Sequence, residues 1–150
     1  MNDFSHLQSH AAQASKTARH TFYEIKGKPW LDVAPAAAGN KPYFNALLRS
    51  QGKNRKRLRS GKITADDIER ARDEDRRLYA KHVVKGWGNV RDAKGKAVAF
   101  SQEACKDFLE ALPYWLFDDL RGFASDPDSF VDDDDEPIDT GELGKNSPGG

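Results

Sequence analysis

Residues 64–86, TADDIERARDEDRRLYAKHVVKG, decide the fold because they encode one long amphipathic helix with a signal at each end. Thr64 followed by Asp67 has the spacing of a capping box, and acidic residues favour the positive end of the helix dipole. Gly86 is of the residue type that commonly stops a helix. The stretch therefore predicts a helix from about residue 65 to about residue 85.

The two sides of this predicted helix differ in polarity, as expected for a helix packed against a core. Asp75 is the one polar interruption of the apolar side. The apolar side consists of Ile68, Ala71, Leu78, Tyr79, His82 and Val83. The opposite side is a mixed charged face, expected to lie in solvent, and consists of Glu69, Arg70, Arg72, Asp73 and Arg76.

Shorter elements are predicted on both sides of the long helix. Residues 21–25 and 30–33 are aromatic and β-branched around a Lys-Gly-Lys-Pro turn, which predicts a short β-hairpin. Asn40 and Ser101 have the residue types of helix N-caps, and each precedes an apolar helical pattern. Pro113 suits the first turn of a last helix, which continues to about residue 124.

These elements indicate a mainly α protein, a small helical domain with a short N-terminal β-hairpin and disordered termini. Residues 1–20 are interpreted as a flexible polar arm, 21–125 as one domain, and 126–150 as an acidic disordered tail. Within the domain, residues 49–62 hold seven basic residues and no acidic ones, and they predict a mobile loop.

The chain has 150 residues, 24 of them basic and 24 acidic, yet its charge is not evenly spread. Residues 1–125 carry 23 basic and 15 acidic side chains, a net charge of +8. Residues 126–150 carry 1 basic and 9 acidic side chains, a net charge of −8. The neutral total therefore does not exclude binding to charged partners.

Several function classes find no support in the sequence. No run approaches the ~18–20 apolar residues of a membrane span, and residues 1–20 lack the apolar core of a secretory signal. The single cysteine, Cys105, excludes an intrachain disulfide and favours a reducing cytoplasm. We expect no catalytic residues, no cofactor and no metal site. His6 and His10 have helical spacing but no third ligand beside them, and Cys105 is expected in the core.

Two groups of residues are candidates for binding a partner. The first is an aromatic group around Pro113, which a single helix face cannot bury completely; part of it is either covered by the fold or exposed to a partner. This group consists of Tyr114, Trp115, Phe117 and Leu120. The second is electrostatic and consists of Lys53, Arg55, Lys56, Arg57 and Arg59. Three interpretations of it remain open: a solvated loop, a dock for an acidic protein or for the acidic tail, and a phosphate-binding surface.

A string of motifs between residues 22 and 130 resembles the tail assembly chaperones of long-tailed bacteriophages. The motifs are Asn40-x-x-Tyr43, Gly86-Trp87, Asp92-x-x-Gly95, Phe100-Ser101-x-Glu103, Leu112-Pro113 and the Asp126–Phe130 segment. The resemblance implies a small, mostly helical, non-enzymatic protein in the host cytoplasm during virion assembly, which is absent from the mature virion. It further implies that the partners are the tape-measure protein, kept soluble by the chaperone, and the tail-tube protein.

A function of another class is kept as the alternative. In that interpretation the chain binds nucleic acid through the basic residues 53–59, and the acidic tail competes for the same surface.

Overall fold

The computed structural model describes residue 3 and residues 16–59 and 61–131, and for residues 53–59 it describes the backbone alone. Three strands form an antiparallel sheet in the order β1-β2-β3. They are β1 (Ala18–Thr21), β2 (Trp30–Val33) and β3 (Val84–Gly88). The predicted second strand is confirmed. The prediction of a first strand over residues 21–25 is wrong beyond Thr21, because β1 covers residues 18–21 and residues 22–25 belong to the connection to β2. The third strand extends the sheet beyond an N-terminal hairpin.

Within the described residues, four α-helices pack with this sheet, in agreement with the predicted mainly α class. They are α1 (Lys41–Arg59), α2 (Ala65–Leu78), α3 (Gln102–Ala111) and α4 (Tyr114–Ser125). A π-helical turn (Tyr79–Val83) continues α2 into β3, and a 3₁₀ helix (Pro127–Phe130) follows α4.

The predicted N-terminal signals of three helices are confirmed. The Thr64 hydroxyl accepts from the amide of Asp67, whose carboxylate accepts from the amide of Thr64, so both halves of the capping box are present. The Ser101 hydroxyl accepts from the amide of Ala104 at 3.0 Å. Asn40 accepts from the amide of Tyr43 and also donates to the carbonyl of His82, which ties the start of α1 to the π-helical turn.

The prediction of one helix from residue 65 to residue 85 with a stop at Gly86 is wrong. The α-helix ends at Leu78, the π-helical turn follows, and Gly86 lies inside β3 opposite Asp32. The chain leaves the helix at Val84, which already has an extended backbone, because residues 84–88 pair with β2. Sheet pairing with a strand more than 50 residues away overrides the local helical periodicity.

The prediction of a loop over residues 49–62 is wrong as far as Arg59, since α1 continues to that residue. Lys, Arg and Leu are good helix formers, and the single Gly52 costs only ~1 kcal/mol in a helix. High charge over residues 49–59 is therefore compatible with a regular helical backbone.

Regular structure extends beyond residues 21 and 125, the predicted bounds of the domain. Residues 18–20 of the predicted arm belong to β1. Residues 127–130 of the predicted tail form the 3₁₀ helix, in which Phe130 is buried, and Asp126 caps it by accepting from the amide of Asp128. The remaining arm residues before 16, apart from residue 3, and the tail after 131 lie outside the described residues.

The core lies between the helices and one face of the sheet. On β2, Leu31 and Val33 are buried, while Trp30 and Asp32 point to the other face and contact Arg19. The largest fully buried side chains are Tyr79, Phe22, Phe117, Leu31, Leu109, Leu120, Val33, Val83 and Cys105. Buried residues of α1, the π-helical turn, the sheet, α3 and α4 form one connected cluster, against which Leu78 of α2 packs, so the described residues fold around a single core.

Candidate protein-binding surface

The start of α4 is placed by a sharp corner after α3. Leu112 leaves the helical conformation with φ −67° and ψ 138°, and Pro113 follows with φ −54° and ψ 146°. Proline cannot continue the hydrogen bonding of α3, but its fixed φ suits the start of a new helix. As a result, α4 begins at Tyr114 within three residues of the end of α3.

The four residues of the predicted aromatic group separate at this corner. Phe117 and Leu120 are fully buried and therefore belong to the core, so this part of the predicted binding surface is wrong. Tyr114 and Trp115 are 60% and 48% exposed. The separation follows from helix geometry. Positions 116, 117, 120 and 124 share the buried face of α4, whereas positions 114 and 115 lie outside that face.

Tyr114 lines a groove between α2 and the first turn of α4. The groove has a volume of about 380 Å³, and its apolar surface comes from Tyr114, Ala65 and Ile68, which is 55% exposed. Its polar walls are Glu69, Arg72, Asp73 and Arg76. The sequence placed Ile68 on the core side of the helix, whereas the structure places it at this surface.

Arg72 fixes the tyrosine ring from the side of α2. Its guanidinium carbon lies 5.0 Å from the ring centroid of Tyr114, and its Nε donates to Asp118 at 3.2 Å. Asp118 also accepts from Arg121 at 3.1 Å. Partial burial raises the pKa of Asp118, but the two arginines outweigh it and lower that pKa below its ordinary value. The carboxylate therefore stays charged and keeps Arg72 beside the ring.

Below the groove, Asp75 connects three helices. This carboxylate is buried and accepts from the Tyr43 hydroxyl at 2.8 Å and from Arg121 Nε at 2.9 Å. Burial raises the pKa of Asp75, while the hydrogen bonds from Tyr43 and Arg121 oppose that rise. The residue that looked like a gap in an apolar face is the polar centre joining α1, α2 and α4.

Arg76 is the second buried charge, although the sequence placed it on the solvent face. Its Nη1 donates to the carbonyls of Leu109 and Leu112, and the second of these distances is 2.9 Å. Its guanidinium lies 5.0 Å from the ring of Phe117, and its Nε is 3.5 Å from a carboxylate oxygen of Asp73. Arg76 thus provides a hydrogen-bond donor for carbonyls at the end of α3 and links α2 to the corner between α3 and α4.

A second cavity lies between β1 and α4, with a volume of about 320 Å³. The ring of His20 lies 4.9 Å from both Phe22 and Phe123. Burial lowers the pKa of His20, and the charges of Asp119 and Glu24 oppose that effect. The imidazole that lines this cavity is therefore neutral at pH 7. The cavity separates β1 from α4 only in part, because the rings of His20 and Phe123 are in contact.

The other residues considered for catalysis, metal binding or electrostatic binding do not form a further site among the described residues. Cys105 is buried, as the sequence predicted, and burial raises the pKa of its thiol to about 12, so it is protonated at neutral pH. Among the described residues, no group of three or more His, Cys, Asp or Glu side chains could hold a metal ion. His6 and His10 lie outside them. Positions 53, 55, 56, 57 and 59 lie on the C-terminal half of α1.

Comparison with models of known protein families identifies a family for this chain. The family model described as YdaY prophage protein matches residues 38–139, which is more than half of the chain and includes α1 to α4. No curated protein and no solved structure matches the chain significantly. No helix within the described residues is long and apolar enough to cross a membrane.

Proposed function

The chain belongs to the YdaY prophage protein family, and from this premise we propose that it is a phage tail assembly chaperone. In this role it binds the tape-measure protein in the host cytoplasm, keeps it soluble, and helps recruit tail-tube subunits. The chaperone itself is then left out of the mature virion. Phage origin follows from the family; the role in tail assembly is the proposal.

Two of the motifs that carry the resemblance to tail assembly chaperones contact each other in the fold, which supports the proposal. The indole Nε1 of Trp87 donates to the carbonyl of Val98 at 2.9 Å, and its ring centroid lies 5.2 Å from Phe100 and 5.7 Å from Phe108. Asp92 accepts from the amides of the turn that follows it. The Gly86-Trp87 and Phe100-Ser101 motifs therefore lie together beside α3, joined by the Asp92-x-x-Gly95 turn.

The observation that carries the proposal is the exposure of Tyr114 and Trp115 on a rigid base. Aromatic side chains that are exposed but fixed are typical energetic centres of protein interfaces. Here the base is fixed by the buried Phe117 and Leu120 on the same helix and by Arg72 beside the ring. A partner with apolar helices would bury these rings without any rearrangement of the core.

Co-expression with the tape-measure protein of the same prophage tests the proposal. The wild-type chain should increase the soluble fraction of that protein, and Trp115→Glu and Tyr114→Glu should each remove most of the increase. Leu48→Glu is the matched control, because Leu48 is also 48% exposed but lies on α1. This control should keep the wild-type effect.

The variants must remain folded for the comparison to count, so their urea unfolding is measured in parallel. A wild-type chain that leaves the tape-measure protein insoluble would contradict the chaperone role. Equal losses in all three variants would contradict the assignment of the surface to the start of α4.

A further inference from the structure

The C-terminal half of α1 concentrates positive charge. Between Arg49 and Arg59 the helix has six basic residues, and the whole of α1 has no acidic one. Five pairs of these basic positions are three or four residues apart. The pairs are Arg49–Lys53, Lys53–Lys56, Lys53–Arg57, Arg55–Arg59 and Lys56–Arg59.

Such spacing has an energetic consequence, because positions three or four apart are neighbours on a helix. Each like-charged pair destabilises a helix by about 0.2–0.5 kcal/mol. The negative end of the helix dipole compensates only within the last turn. An anionic chain along this half of α1 would remove the repulsion, and therefore the helix is suited to binding a polyanion.

A segment of comparable and opposite charge is present in the same chain. Residues 132–142 contain seven acidic residues and no basic one. We propose that this segment docks along residues 49–59 of α1 in the same molecule. The inference does not depend on the chaperone role, since it concerns only contacts within the chain.

The position at which the acidic segment leaves the fold makes this contact reachable. The amide of Ala36 donates to the carbonyl of Ala124 at 2.8 Å, and Phe130 lies against Phe123 with 6.3 Å between ring centroids. The end of α4 is thus close to the segment that enters α1 at Lys41. Helix α1 is about 28 Å long, and eleven extended residues span about 36–40 Å.

Covalent connection favours this occupant over a separate one. A tethered segment acts at an effective concentration in the millimolar range, so it competes well against free anions of similar charge. While docked, it would shield α1 from nucleic acid, the other polyanion that this helix could attract in a cell.

Carbodiimide crosslinking of the full chain, followed by mass spectrometry, tests the contact. This reagent joins a lysine amine directly to a carboxylate that touches it. We expect crosslinks from Lys53 or Lys56 to carboxylates of residues 132–142 in the monomer. Their yield should fall about tenfold between ~0.05 M and ~1 M salt, because screening shortens the range of the attraction.

A charge variant separates docking from random collision. Arg55→Gln, Arg57→Gln and Arg59→Gln together keep both lysines and a good helix former at each position, and they should lower the crosslink yield about fivefold or more. The matched control is Arg70→Gln, Arg77→Gln and Arg91→Gln, which removes the same charge from exposed positions on other elements. The control should keep the wild-type yield.

Three results would overturn the proposal. One is crosslinks only between molecules, with a yield that grows with protein concentration, since the occupant is then a second copy. Another is equal yields in the variant and its control. The third is the absence of these crosslinks. In that case, binding of a labelled DNA duplex by the wild-type chain at ~0.05 M salt would identify nucleic acid as the occupant instead.

Discussion

Gly88 lies opposite Trp30 in the pairing of β2 with β3, and the indole covers it. A Cβ atom at this position would be 2.2 Å from the ring carbon Cζ2 of Trp30. The ring cannot move away freely, because the guanidinium of Arg19 lies 3.5 Å from its centroid on the sheet surface. We therefore expect Gly88→Ala to destabilise the fold by about 1–3 kcal/mol, measured by urea unfolding.

The same strand provides the control for this substitution. Gly86 is two residues away, and a Cβ atom there would meet nothing within 4 Å. Gly86→Ala should change the free energy of unfolding by less than about 0.5 kcal/mol. Similar losses in both variants would show that β3 resists any side chain, and that contact with Trp30 is not the cause.

Tyr43 offers a second prediction at the scale of one hydrogen bond. Tyr43→Phe removes the hydroxyl that donates to Asp75 and leaves the buried carboxylate with Arg121 alone. We expect a loss of about 1.5–3 kcal/mol in the free energy of unfolding, the range for hydrogen bonds to charged groups. Tyr23→Phe is the control, since Tyr23 is 73% exposed. An unchanged stability of Tyr43→Phe would contradict the role of Asp75 as a polar centre.

Helix α3 depends on a residue of another helix for its C-terminal end. Arg76 on α2 donates to the carbonyls of Leu109 and Leu112. Arg76→Met keeps most of the volume but leaves both carbonyls without this donor, so we expect a loss of about 3 kcal/mol in urea unfolding. Arg77→Met should cost less than about 1 kcal/mol, because Arg77 is half-exposed and pairs with Glu74 on its own helix.

Local signals made the helix starts predictable from the sequence. A cap such as Thr64 or Ser101 acts on amides two or three residues away, so its chemistry is complete within a short stretch. The end of α2 could not be predicted in this way. The residues after Leu78 continue a helical apolar pattern, and only β2, far away in the sequence, makes residues 84–88 a strand.

The candidate site was less predictable from the sequence, because it too depends on contacts between residues that are far apart in the chain. The sequence identified the aromatic residues around Pro113, because a helix of that composition has more rings than one face can bury. It could not tell that Phe117 faces inward and Tyr114 outward, since this depends on the position of the core. Asp75 was placed on the core side correctly, but its partners on α1 and α4 could not be predicted. Arg76 was misplaced because the carbonyl of Leu112 that it binds lies far away in the sequence, and Ile68 was misplaced because it lies at the surface.

At the scale of the whole molecule, the two ends of the described fold meet at one contact. Strand β1 begins the sheet, α4 is the last α-helix, and the ring of His20 lies between Phe22 and Phe123. Most of the described elements follow one another from α1 to α4, and this contact attaches β1, which comes before them in the sequence, to the last of these helices. Closure by a histidine between aromatic rings makes the stability of the fold depend on pH.

The sign of this dependence follows from the burial of His20, which lowers the pKa of the imidazole in the folded state. Between that pKa and the ordinary value near 6.5, the unfolded chain binds more protons than the folded one. The contribution of His20 is therefore complete above about pH 6.5 and is lost as the pH falls through the folded-state pKa. The charges of Asp119 and Glu24 reduce this loss without reversing it, because burial is the larger effect.

We expect the free energy of unfolding of the wild type to fall between about pH 7.5 and about pH 5.5, and His20→Gln to show a smaller fall over the same range. His82 is the control, because burial together with Lys81, Lys85 and Arg49 lowers its pKa too, but it makes no aromatic contact among those described. His82→Gln should retain the part of the fall that comes from His20. Hydrogen exchange gives an independent measurement, since protonation of His20 should increase exchange first in β1. An equal pH dependence in wild type and His20→Gln would show that the contact between β1 and α4 does not respond to protonation.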